Sequence, residues 1–245
     1  MRLHTREWGN GSDVALLVHG MMGESRQFWE IGPALADRGY RAIAVDLPGH
    51  GHSGQCLAGG MSAFVDSLVE SVPPRPALAI GQSLGGMVIA GALERLEPAR
   101  AVYVDIPFQP LASDEQPRDP ATLAALFEQS KAGRTVSRLA QTRTWWKPHD
   151  CEVEEEAARL FDVASAVALE LAEEWDDITP PAVAIPSLLI HADPSEYVSA
   201  SRVHELRALG FAVHGVKGAG HSVWYGFFDE YMAVLDAWLA DNAAH

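Results

Sequence analysis

Short apolar runs separated by stretches of helical periodicity set out the plan of this 245-residue chain. Four early runs, at residues 14–18, 41–45, 77–80 and 101–104, are nearly continuous in apolar side chains rather than alternating. Strands of a parallel sheet read this way, because helices cover both of their faces. Between the runs, Phe28, Ile31 and Leu35 recur at helical spacing before Arg38-Gly39. Met61, Phe64, Val65, Leu68, Val69 and Val72 then form an apolar stripe opposite Asp66, Ser67, Glu70 and Ser71, and Pro73-Pro74 stops that helix. Strand and helix alternate, which predicts an α/β fold: a mostly parallel twisted sheet flanked by helices.

The pattern changes at Pro107. Pro107, Pro110, Pro117 and Pro120 break a stretch that no core strand tolerates. From Pro120 to about residue 177 the periodicity is helical, first at Leu123, Leu126 and Phe127, then in one long run from Val153 through Ala157, Phe161, Ala164, Val167, Leu171 and Trp175. Asp150, Glu152 and Glu154 fall in the first turn of that run, where the helix dipole favours negative charge. The alternation resumes after Pro180-Pro181, with strands expected at 187–190 and 211–216, a helix around Val203 and Leu206, and a closing helix carrying Phe228, Tyr231, Met232, Leu235, Trp238 and Leu239. The expected organisation is a core of residues 1–106 and 181–245, with a helical cap inserted at 107–180.

Composition narrows the partners. With 18 Lys and Arg against 33 Asp and Glu, the net charge of −15 repels nucleic acid and anionic membranes. Neither is an expected partner. The carboxylates are spread along the chain and serve solubility, so charge does not define a substrate. Cys56 and Cys151 have no paired spacing, and His50 and His52 lack a third ligand nearby, so neither a disulfide, a metal nor a cofactor is expected. The N-terminal residues lack an apolar signal core and no run approaches membrane-spanning length, which predicts a soluble cytoplasmic protein. The oligomeric state is left open by the sequence.

One pentapeptide names a chemistry. Gly81-Gln82-Ser83-Leu84-Gly85 is a G-x-S-x-G string between an apolar run and a small-residue-rich helical run. Such a strand-to-helix turn lifts its serine above the sheet, which makes Ser83 the candidate nucleophile. A serine hydroxyl needs a general base, an acid to orient that base, and donors for the oxyanion that forms. Gly218-Ala219-Gly220-His221, on the loop after the last strand, offers His221 as the base. Main-chain amides of Leu84, just after the nucleophile, and of Met21, in the loop His19-Gly20-Met21-Met22-Gly23, are the candidate oxyanion donors. His19 is expected to orient that loop, and Asp46 to end its strand and tie down the turn after it.

The order of strand, His-Gly loop, serine turn, helical insertion, acid loop and late Gly-x-Gly-His resembles the α/β-hydrolase family over nearly the whole chain. The resemblance implies an acid on the loop after the strand at 187–190, where the common pattern is Gly-x-x-Asp. This chain reads Ala192-Asp193-Pro194-Ser195, so the usual acid position falls on Ser195. Asp193, on the same loop, is the expected acid; Asp105, at the end of the strand 101–104, is the alternative, and Glu196 the third. Aromatic side chains furnish the expected pocket: Trp29, Phe108, Trp145, Trp146 and Trp224, with Phe127 and Phe161 assigned to the core. The function this implies is hydrolysis of a small, largely apolar carboxylic ester or lactone through an acyl-serine. Carbon–carbon bond hydrolysis, acyl transfer and cofactor-free perhydrolysis use the same residues and stay open, as does a ligand receptor of the same fold.

Overall fold

The computed structural model describes residues 1–108, 119–172, 180 and 185–242. Pro110, Pro117, Trp175 and Pro181 lie outside the described residues. Seven strands, β1 (Thr5–Trp8), β2 (Asp13–Val18), β3 (Tyr40–Val45), β4 (Leu78–Gln82), β5 (Ala101–Val104), β6 (Ser187–Asp193) and β7 (Ala212–Lys217), form one sheet in the order β1-β3-β2-β4-β5-β6-β7. Every pairing is parallel except that of β1 with β3. β1 escapes the apolar pattern because it is a short, half-exposed edge, Thr-Arg-Glu-Trp, where charge blunts the unpaired side.

Alternate residues of each central strand enter two separate apolar layers. Leu16 and Val18 of β2 pack toward α2 (Gly60–Ser71), α3 (Leu84–Leu96) and α8 (Ala200–Ala208), while Ala15 and Leu17 face α1 (Ile31–Asp37) and α9 (Phe228–Asp241). Burial on both sides is why these strands lack polar alternation. The stripe on α2 puts Phe64 and Leu68 into the first layer, essentially without exposure. Each such side chain contributes roughly 1.5–3 kcal/mol of burial.

Between β5 and β6 come α4 (Pro120–Gly133), α5 (Val136–Thr142), α6 (Pro148–Leu160) and α7 (Val163–Leu171). The single long helix expected from Val153 onward is two. The chain turns extended at Phe161, and the Asp162 carboxylate accepts from the Ser165 amide at 2.8 Å to start α7. Asp162-x-x-Ser165 was the legible signal, overridden by an apolar periodicity that continues across the break. These helices are tied to the sheet body. The Trp29 indole donates to Asp150 at 3.0 Å, the Cys56 amide to Ser165 Oγ at 2.8 Å, and the Asp162 amide to the Gly49 carbonyl at 2.9 Å. Among the described residues, no helix is long and apolar enough to cross a membrane.

Candidate active site

Ser83 joins β4 to α3 with φ 51° and ψ −120°. Non-glycine residues rarely adopt this region, and it persists only where the surroundings impose it. Here they do: the Ser83 amide donates to the Val104 carbonyl at 3.0 Å, and its own carbonyl accepts from Gly86 at 2.9 Å. A Cβ on Gly85 would stand 2.2 Å from the Val18 carbonyl oxygen, so glycine is what lets α3 begin against the end of β2.

The loop after β2 lies on this turn. A Cβ on Gly20 would come within 3.1 Å of Ser83 Cβ. The buried His19 ring fixes the loop, with Nδ1 bonded to the Gly20 carbonyl at 2.8 Å and Nε2 accepting from the Leu47 amide at 2.9 Å. With both nitrogens engaged and burial holding its pKa down, His19 is a neutral strut. The Met21 and Leu84 amides have no hydrogen-bond acceptor among the described residues.

His221 meets a carboxylate, and it is that of Asp105. The Nδ1–Oδ2 distance is 2.7 Å, with the His221 side chain one-third exposed and Asp105 at 1%. Asp105 follows β5 with φ 49°, and its Oδ1 accepts from the Ala192 amide at 3.1 Å and from Ser195 Oγ at 2.7 Å. Asp193, the acid expected here, does not meet His221. β6 runs three residues beyond the expected 187–190, so Asp193 is still in the ladder opposite Lys217, with an exposed side chain. Glu196 is exposed too. Neither the Ser83 hydroxyl nor His221 Nε2 has a hydrogen-bond partner among the described residues. The two segments are nevertheless linked. Gln82 Nε2 donates to the His221 carbonyl at 3.4 Å, and Gln27 Nε2 bridges Gln82 Oε1 and Ser222 Oγ at 3.3 and 3.4 Å.

A cleft of about 730 Å³ opens here, bounded on the sheet side by Met21, Gly23, Gln82, Asp105 and His221. Trp145 and Trp146 line it, but Trp29, Phe108 and Trp224 do not. Trp29 is turned to Asp150; Phe108 stacks in the core on Tyr103 at 4.7 Å, and Trp224 on Phe28 at 5.4 Å. The sequence reading overlooked the polar lining. Arg134, Arg138, Arg143 and Glu154 face the cleft from α4–α6 and the turns after them, and charged residues in such helices look like a solvated surface. Arg134 bonds Glu154 at 2.6 Å and the Met22 carbonyl at 3.4 Å. Burial pushes the Glu154 carboxyl up, against the opposing pull of Arg134. Among the described residues no three His, Cys, Asp or Glu side chains are grouped to hold a metal.

Beneath the site, Asp46 knots the loop after β3. It accepts from the Ser25 and His52 amides at 2.7 and 2.8 Å. His50, in that loop, is buried beside His19, and its Nε2 has no partner. Burial pushes its pKa down to about 3. An unfolded histidine titrates near 6.5, so between these values the unfolded chain binds a proton that the native state refuses. The contribution of His50 is therefore fully present above pH 6.5 and is lost as pH falls through the window, by roughly 2 kcal/mol at pH 5. Urea unfolding at pH 7 and 5 measures this, and His50→Gln should flatten the difference. An unchanged slope in the variant would refute it.

The model of the alpha/beta hydrolase family matches residues 15–236. The pimeloyl-[acyl-carrier protein] methyl ester esterase of Vibrio cholerae is 38% identical over 88 residues, 36% of this chain, and the match spans only 33% of that relative's length. The protein of the same name from Stenotrophomonas maltophilia is 28% identical over 97% of this chain and 96% of its own. A bromoperoxidase from Bacillus anthracis superposes with a TM-score of 0.77 at 21% identity, covering 97% of this chain and 95% of its own.

Proposed function

The chain belongs to the alpha/beta hydrolase family, and from that premise we propose that it hydrolyses a carboxylic ester through an acyl-enzyme on Ser83. The observation that carries the reading is the Asp105–His221 pair, joined through the Val104 carbonyl and the Gln82 side chain to a serine held in a strained strand-to-helix turn. Asp105 keeps the proton on Nδ1, leaving Nε2 to take the Ser83 proton as the hydroxyl attacks the ester carbonyl. The negative charge that forms on the carbonyl oxygen is received by the Met21 and Leu84 amides. His221 returns the proton to the departing alcohol, and a water then repeats the sequence to release the acid. The relatives named above as methyl ester esterases support the bond type.

Residues 107–180 serve as a cap over residues 1–106 and 181–245 in this reading, roofing the cleft with α4–α6. The polar lining shifts the substrate away from the largely apolar ester or lactone expected from sequence. Arg138 and Arg143, exposed at the cleft, favour an ester with one polar or anionic arm. A fluorophosphonate probe tests the chemistry, with a mass adduct expected on the Ser83 peptide alone. A panel of methyl esters, with and without a terminal carboxylate, tests the substrate. No adduct and no hydrolysis of any ester would end the proposal.

A further inference from the structure

Directly after β6 the chain makes a tight turn through residues 194–198, and that turn holds both members of the Asp105–His221 pair. Ser195 Oγ accepts from the Tyr197 and Val198 amides at 3.0 and 2.9 Å. A hydroxyl has two acceptor sites and one proton, so with both acceptor sites filled the proton is directed at Asp105 Oδ1, 2.7 Å away. Oδ1 thus receives Ser195 and the Ala192 amide, and Oδ2 is left for His221. The same turn lays the Tyr197 ring on the imidazole at 4.2 Å. Without Ser195, Oδ1 would keep a single amide donor at 3.1 Å, and the carboxylate would be held less firmly about its broad terminal torsion.

We propose that Ser195 is a positioning residue whose hydroxyl locks the Asp105 carboxylate with Oδ2 toward His221 Nδ1. The proposal rests on the catalytic reading above. It gives a physical sense to the loop: where family likeness expects a carboxylate, this chain has a hydroxyl that orients one supplied by the neighbouring strand.

Ser195→Ala should lower kcat on a cleaved ester about tenfold, the scale of one hydrogen bond to a charged group, while KM stays within about twofold. Ser195→Thr keeps the hydroxyl and should restore kcat. The readout that a merely structural role would not move is the His221 Nδ1 proton in ¹⁵N-histidine spectra. Its downfield resonance should shift or broaden in Ser195→Ala, return in Ser195→Thr and vanish in Asp105→Asn. A Ser195→Ala protein with wild-type kcat and an unmoved resonance would overturn the proposal, as would lost thermal stability with that resonance unmoved. A wild-type protein that hydrolyses no ester, yet shows the Ser195-dependent resonance, would instead sink the hydrolase reading and leave the positioning intact.

Discussion

Ser83→Ala should reduce turnover of a cleavable ester about 10⁶-fold and abolish the fluorophosphonate adduct, because losing the proposed nucleophile removes the covalent route and leaves only binding and oxyanion stabilisation. The loss is expected in kcat. Binding of an unreactive ester analogue, measured by calorimetry, should stay within a few-fold, since the cleft is bounded by Gln82, His221 and the α4–α6 side chains. Alanine keeps the backbone and packing of the turn, so thermal unfolding should stay close to that of the parent. A Ser83→Ala protein that still turns over ester at the parental rate would place the chemistry elsewhere.

Asp105→Asn should cost about 10⁴-fold in kcat, because an amide that presents its NH₂ to His221 favours the wrong imidazole tautomer and no longer stabilises the imidazolium. Asp193→Asn is the matched control, and it should leave kcat within a few-fold. The contrast discriminates between the two acids, since both variants are isosteric and Asp193 is exposed while Asp105 is buried. Equal losses in both, or a loss confined to Asp193→Asn, would reverse the assignment.

Much of this was legible beforehand for a definite reason. Strands buried on both faces write continuous apolar runs, and β2 to β6 are legible that way; β7, a half-exposed edge, is legible from its valines, whereas β1, a charged edge, leaves no such trace. The serine turn and the late histidine are short-range patterns, set by glycines at fixed offsets, and they could be read locally. The contact of Asp105 with His221 spans 116 positions and depends on where β6 ends, which a run of apolar residues does not record. Large rings also misled, because Phe108 and Trp224 fill the core as readily as a pocket. The arginines of the cleft leave no trace for the opposite reason, since short surface helices carry such residues whatever they face.

Met22, Ser83 and Asp105, none of them glycine, all hold positive φ, each in a turn that follows a strand of the sheet. Each such backbone costs of the order of 1–3 kcal/mol, against a net stability of about 5–15 kcal/mol for an ordinary domain. The proposed catalytic end of the molecule therefore draws down a thermodynamic reserve that the two apolar layers must maintain. Damage to Phe64 or Leu68, buried in the layer under α2 and outside the cleft lining, would first be felt as a protein that melts sooner, long before its chemistry falters.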